Sequence, residues 1–322
     1  MTATKPSPET QDLADPAALV ARMRAGERRA TSRAVTELER LSSAAPRLLE
    51  AMRPHLGRAL VIGFTGPPGA GKSTLVNAYT RYLREENKQI GIIAVDPSSP
   101  ISGGAILGDR IRMTATLDDD GVFMRSLASR GHLGGLCPAA VRVIDAFDAA
   151  GKDIVLLETV GTGQSEIDVA EVADVRIVVS APGLGDDIQA MKSGLLEVAD
   201  ILVVNKADRE GAERTAQQLK GALSLRSGPR ANVPVLKVTA TTGDGVPALA
   251  VAIDDFATAN VAKDATVRRR RRARYLTARA AADPGGGRVR HGADGELDRL
   301  ADAVLAGTLL PADAAGKILR GM

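Results

Sequence analysis

The chain has 322 residues, of which 44% are hydrophobic and only 2% aromatic, with a net charge of +3 and one cysteine, Cys137. That length suits about two domains around an aliphatic core. A single cysteine excludes an intramolecular disulfide and fits a reducing compartment, no run approaches the ~20 apolar residues of a membrane span, and the scarcity of aromatics argues against base stacking on nucleic acid. The opening stretch Met1–Pro6 lacks the apolar region of a signal peptide, so a cytoplasmic location is expected. The basic excess is concentrated in Lys263–Met322, and the remainder of the chain is net acidic.

In chain order, residues 1 to about 12 are polar and Pro-containing, the composition of a disordered end. From Pro16 to Leu56 apolar residues recur at helical spacing (Leu19, Val20, Met23, then Val35, Leu38, Leu41), with Gly26 and Pro46 as breaks, so two or three short helices are expected. From Arg58 to about Ala259 strands alternate with helices. The strand candidates are Leu60–Phe64, Ile90–Val95, Val122–Met124, Ile154–Leu157, Arg176–Ser180, Ile201–Val204 and Val235–Val238. Several are unbroken apolar runs, as for strands buried on both faces of a parallel sheet. Helical stretches between them include Leu75–Glu86, Ala139–Ala149, Ala212–Leu223 and Val246–Phe256. The fold class read from this pattern is α/β, a doubly wound, mostly parallel sheet with its ligand loops at the strand C-terminal ends. A helical N-terminal extension (1–57), a central domain (58–260) and a helical C-terminal arm (261–322) complete the division. In the arm, Arg268–Arg272 reads as a solvated helical face or as charge screened by an acidic partner, and Asp283-Pro284-Gly285-Gly286-Gly287 breaks the helix.

Four strand-end loops carry chemistry. The first is Gly66-Pro67-Pro68-Gly69-Ala70-Gly71-Lys72-Ser73-Thr74, the G-x-x-x-x-G-K-[ST] pattern between a strand and a helix. Its glycines let backbone N–H groups point at phosphate oxygens, and the helix N-terminus adds partial positive charge. Lys72 is placed to reach the β- and γ-phosphates and Ser73 to ligate Mg²⁺. The second loop follows Val95. There Asp96, ending a strand, and Asp109, at an N-cap-like position, are candidates for Mg²⁺ or the attacking water, a turn or a helix cap being the plainer readings.

The third loop is Glu158-Thr159-Val160-Gly161-Thr162-Gly163-Gln164-Ser165-Glu166. An acidic residue ending an apolar strand, with glycine three positions on, is the layout that senses Mg²⁺ and γ-phosphate, with the Gly161 N–H as the sensor. The fourth is Asn205-Lys206-Ala207-Asp208. Its Asp carboxylate can accept two N–H donors from the guanine edge that adenine lacks, and the Lys stem can pack on the ring. A mismatched base leaves the carboxylate unpaired, at a cost of several kcal/mol. Thr239-Ala240-Thr241, after the last strand, is placed to offer a backbone N–H to the guanine O6. Together the loops read as a GTP-hydrolysing site with Lys72, Asp96 and Glu158 as its catalytic candidates.

Beyond these loops, Val95-Asp96-Pro97-Ser98-Ser99-Pro100, Arg130-Gly131-His132-Leu133-Gly134-Gly135, the Glu158–Glu166 segment and Gly183-Leu184-Gly185-Asp186-Asp187-Ile188-Gln189 resemble the MeaB/ArgK-type G proteins over about Ala17 to Phe256. These are GTPase chaperones of adenosylcobalamin-dependent acyl-CoA mutases such as methylmalonyl-CoA mutase. The resemblance implies a homodimer in which GTP binding and hydrolysis gate cobalamin loading and protect or reactivate the mutase. It places Ser73, Asp96, Asp109 and Glu158 around Mg²⁺, and makes Gly183, Asp186, Gln189 and Lys192 a switch that reports nucleotide state to the partner. Members usually carry a Trp near the C-terminal arm, and this chain has none.

Three other readings compete. A GTPase metallochaperone for nickel or a similar ion needs a Cys/His cluster, whereas Cys137, His55, His132 and His291 offer no pair at ligand spacing. A kinase acting on a transport protein would have to use GTP, given the guanine signature. A scaffold that binds GTP without hydrolysing it sits poorly with intact Lys72, Ser73 and Glu158.

Overall fold

The structure, a computed structural model, describes residues 15–96, 119–128, 138–159, 165–184, 194–224, 233–261, 264–282 and 294–320. The chain divides into two compact units, one of residues 60–137 and 153–263, the other of residues 1–59, 138–152 and 264–322.

The first unit holds a seven-stranded sheet: β1 (Leu60–Thr65), β2 (Ile90–Asp96), β3 (Val122–Ala128), β4 (Ile154–Thr159), β5 (Val175–Ser180), β6 (Ile201–Asn205) and β7 (Val235–Val238). They lie in the order β3-β2-β4-β1-β5-β6-β7, and every pairing is parallel. The expected α/β sheet is therefore present, and it is parallel throughout. β3 runs four residues beyond the expected Met124 because it pairs with β2 along its whole length, from Ile90↔Val122 to Asp96↔Ala128.

Among the described residues, the unit's helices are α4 (Lys72–Glu85), α6 (Ser165–Val172), α7 (Leu195–Val198), α8 (Ala212–Ser224) and α9 (Val246–Asn260). On one face Leu75, Val76, Tyr79 and Leu83 of α4 and Leu249 and Ile253 of α9 join Ile62, Phe64, Ile92, Leu156 and Ile177 in one core cluster. A second cluster, with Val178, Leu202 and Val204 from the strands, collects Leu195 and Leu196 of α7 and Leu219 and Leu223 of α8. Helix α6 approaches β1 closely because Gly63 has no side chain: a Cβ there would overlap Val169 Cγ1 and stand 2.9 Å from Ala173 Cβ. With both faces covered, the central strands are buried along their length, which is why they read as apolar runs rather than alternating ones.

The second unit is helical: α1 (Pro16–Arg24), α2 (Arg28–Arg40), α3 (Ala45–Met52), a 3₁₀ turn (Arg53–His55), α5 (Pro138–Ala149), α10 (Ala265–Ala282), α11 (Asp294–Leu305) and α12 (Pro311–Arg320). Asp15 caps α1 by accepting from the Ala18 N–H at 3.1 Å. Its arginine run departs from the solvated face expected of it. Arg268 donates to the carbonyls of Gly57 and Ala59, Arg270 pairs with Asp302, and Arg272 is only 3% exposed. Arg274, just beyond the run, pairs with Asp298. The acidic partners are residues of the same chain, on α11. Opposite Arg268, the buried carboxylate of Asp148 on α5 accepts the N–H groups of Gly57, Arg58 and Ala59, so residues 57–59 are held from both sides.

No helix among the described residues is long and apolar enough to cross a membrane.

Candidate functional site

Parallel strands bring all their C-terminal ends to one edge of the sheet. There β1 delivers the Gly66–Thr74 loop, β2 ends on Asp96, β4 ends on Glu158 and Thr159, and β6 ends on Asn205. The expected loops therefore converge through topology, although their residues are far apart in sequence.

The phosphate loop runs directly into α4. The helix begins on Gly71, at φ +85 and with no side-chain cap, and its first-turn amides, which have no acceptor within the helix, head the phosphate loop where an anion is favoured. Gly71 cannot be replaced without cost: a Cβ would run into the Asn205 side-chain amide, and the backbone angle is left-handed. Lys72 is buried, and its Nζ donates to the carbonyls of Gly66 at 2.8 Å and Pro67 at 3.0 Å. The ammonium is thus folded back across the loop that its own residue closes. Ala70 is fully buried, Gly69 is exposed at the loop tip, and Thr74 is half-buried one position beyond Ser73.

Ser73 and Glu158 meet. The Ser73 hydroxyl donates to Glu158 Oε1 at 2.6 Å, and both side chains are buried. The two residues, 85 positions apart, come from the start of α4 and the end of β4 and form one oxygen-donor pair. On the other side of the strand ends, Thr159 Oγ1 donates to Thr65 Oγ1 at 3.3 Å.

The guanine-motif loop is tied to the phosphate loop by its first two residues. Asn205 Nδ2 donates to the Ala70 and Gly71 carbonyls at 2.9 and 3.2 Å, and its Oδ1 accepts the Ala240 N–H at 3.2 Å. One side-chain amide thus braces three loops, a role its place in the motif does not announce. Lys206, itself at φ 57, donates to the Gly69 carbonyl at 2.7 Å. Asp208 is exposed beyond them. In the last loop the Thr239 N–H is taken by the Asp244 carbonyl and the Ala240 N–H by Asn205. Of the three amides expected to face a base, these two already have protein acceptors. Thr241 is the exposed member of the group.

Asp96 ends β2, one position past the pairing of Val95 with Thr159, and its side chain lies outside the described residues. Gly183 is exposed in the turn after β5. Asp109, Gly161, Asp186, Gln189 and Lys192 also lie outside the described residues.

A seven-stranded parallel sheet, a glycine loop running into an uncapped helix, and a guanine-motif loop braced against it define a P-loop GTPase, a binder and hydrolyser of guanine nucleotide. Comparison with known proteins narrows the class. The family model described as methylmalonyl-CoA mutase-associated GTPase MeaB matches residues 31–284. GTPase ArgK of Escherichia coli is 40% identical over 249 residues, covering 74% of this chain and 75% of that one. A protein of Pyrococcus abyssi that carries a GTPase name is 47% identical over 235 residues, 72% of each chain. Among solved structures, that of LAO/AO transport system kinase superposes with a TM-score of 0.67 at 27% identity, covering 99% of this chain and all of the other. The chain belongs to the MeaB family of GTPases.

Proposed function

We propose that the chain is the GTP-hydrolysing partner of an adenosylcobalamin-dependent acyl-CoA mutase, methylmalonyl-CoA mutase first among them. In this reading it gates cofactor loading and protects or reactivates the enzyme. The observation that carries the reading is the family match over residues 31–284, whose description names association with that mutase. The segments that single out this family in the sequence fall inside the same range.

Phosphoryl transfer asks for positioning and charge neutralisation more than for covalent help. Lys72 would exchange its two carbonyl acceptors for β- and γ-phosphate oxygens, trading neutral acceptors for charged and stronger ones. The buried Ser73 hydroxyl and Glu158 carboxylate are hard oxygen donors of the kind Mg²⁺ takes, not the sulfur and imidazole of nickel or zinc sites. Asp96 and Asp109 would complete that set. Bound there, Mg²⁺ supplies positive charge against the β- and γ-phosphates. Asp208 would accept from the guanine edge, with the Lys206 stem against the ring and the Thr241 N–H at the O6. Gly161 would sense the γ-phosphate, and Gly183, Asp186, Gln189 and Lys192 would carry its presence to the partner. With Arg268, Arg270 and Arg274 of α10 paired to the chain's own carbonyls and aspartates, turnover would be slow alone and raised by the mutase. The protein would act in the cytoplasm as a homodimer.

A second reading, a kinase of a transport protein, has the name of the superposed structure in its favour. The guanine motif braced on the phosphate loop weighs against it, because such a kinase would have to draw on GTP. The deciding experiment is GTP hydrolysis by the purified protein, alone and with purified methylmalonyl-CoA mutase. Stimulation of about tenfold, a barrier change of ~1.4 kcal/mol, is expected. No stimulation by methylmalonyl-, isobutyryl- or ethylmalonyl-CoA mutase would retire the mutase reading and leave the GTPase intact.

A further inference from the structure

The last two side chains of β4 leave the sheet on opposite faces, as successive residues of a strand must. Glu158 turns to the α4 face and meets Ser73 at 2.6 Å. Thr159 turns to the other face, the one on which Gly63 receives Val169 of α6, and its hydroxyl meets that of Thr65 at 3.3 Å. Phe64 and Glu158 are partners in the β1–β4 register, so the threonine pair sits one step beyond them, at the point where both strands end. Both threonines are 1% exposed. Thr65 immediately precedes Gly66 of the phosphate loop, and Thr159 immediately follows Glu158.

We infer that Thr65 and Thr159 are positioning residues for the Ser73–Glu158 site: their hydroxyl pair fixes the peptide carrying Glu158 to the strand end carrying the phosphate loop. The β1–β4 ladder ends at Phe64 and Glu158; beyond it Thr159 still pairs with Val95 of β2 and Thr65 with Val178 of β5, so the seam between β1 and β4 is the part left to side chains. Here it is pinned on both faces, by Ser73–Glu158 above and Thr65–Thr159 below. Were a cation held there, the Ser73 oxygen would offer it a lone pair while its O–H still donated to Glu158, and the threonine pair would hold the peptide carrying that carboxylate from the other face. The inference rests on the reading that Ser73 and Glu158 hold Mg²⁺. The plainer role, a β-branched side chain filling the sheet surface, would be served equally by valine. That contrast sets the test.

Thr→Val keeps the shape and removes the hydroxyl. A single change leaves the other hydroxyl buried without its partner, whereas changing both together is close to neutral for stability. The variants are Thr159→Val, Thr65→Val, the double variant, and Thr159→Ser as the conservative rescue. The readout is the free Mg²⁺ concentration at which release of a fluorescent GDP is half-slowed, alongside GDP affinity in EDTA. The expected result is a midpoint raised about fivefold or more in Thr159→Val and in the double variant. GDP affinity without metal should stay within about twofold, and Thr159→Ser should restore the parent midpoint. A double variant with the parent midpoint overturns the inference, as does a midpoint shift matched by an equal loss of metal-free GDP affinity. Glu158→Gln separates the two layers. If it moves the midpoint while the threonine variants do not, only the positioning role fails; if it does not move the midpoint, the metal reading fails with it.

Discussion

Lys72 and Lys206 in the sheet unit and Arg268 in the helical unit make the same kind of contact, a cation donating to main-chain carbonyls. What differs is the fate of the neighbouring amides. Beside Arg268 the N–H groups of residues 57–59 are all accepted by the Asp148 carboxylate, so the cluster is closed on itself. Beside Lys72 the loop enters a helix whose N-cap, Gly71, offers no side-chain acceptor, and first-turn amides have no acceptor within their own helix, an arrangement that suits an anion. A site for an anion is thus marked by a helix start without a side-chain cap, not by density of positive charge. The arginine run has the higher charge density, and it serves the fold.

That contrast can be broken by a pair of variants with opposite expected outcomes. Lys72→Ala should lower GTP turnover by about a thousandfold, ~4 kcal/mol of lost charge stabilisation, with little change in melting temperature. Phosphate release and thermal unfolding check both halves. Asp148→Ala should do the reverse: three buried or half-buried amides lose one acceptor, which costs about 3 kcal/mol of stability, while metal-free GDP affinity is retained in whatever fraction stays folded. A Lys72→Ala protein that unfolds, or an Asp148→Ala protein as stable as the parent, would erase the distinction.

A smaller effect sharpens the description of the helical unit. Asp145, one turn before Asp148 on α5, has its carboxyl pushed up from 3.8 to about 6. Burial is the main cause and outweighs the pull of Arg272, Arg269 and Arg142, while Asp148 pushes the same way. A raised carboxylate pKa means the folded state holds its proton more tightly than the unfolded chain does. This contribution is therefore fully present below pH ~4 and is lost as pH rises through about 6. Asp145→Asn should abolish that component. The stability gap between variant and parent, followed by urea unfolding, should widen in the variant's favour from pH 4 to 7. A gap that stays flat would mean that the arginines hold Asp145 ionised throughout.

These two regions were also unequally legible in the sequence. The sheet could be read because strands buried on both faces must be apolar along their length, and the phosphate loop because its chemistry requires a fixed local spacing. Ser73 and Glu158 could be proposed as neighbours, despite the distance between them in sequence, because each ends or follows a strand of a parallel sheet. The role of Asn205 beyond its motif could not be read, since its acceptors are the carbonyls of Ala70 and Gly71 and a carbonyl leaves no trace in residue identity. The same holds for Arg268, whose partners are carbonyls about two hundred positions away. The threonine pair was hidden for a related reason: threonine at a strand end looks like any β-branched residue until its cross-strand partner is known.

The most direct test of the account is the affinity of the purified protein for methylmalonyl-CoA mutase, measured with GDP bound and again with a non-hydrolysable GTP analogue. A switch that reports nucleotide state must bind its partner differently in the two states, and a coupling of at least about 1 kcal/mol, roughly fivefold in affinity, is expected. Equal affinity in both states would contradict the account, because hydrolysis would then carry no information to the mutase.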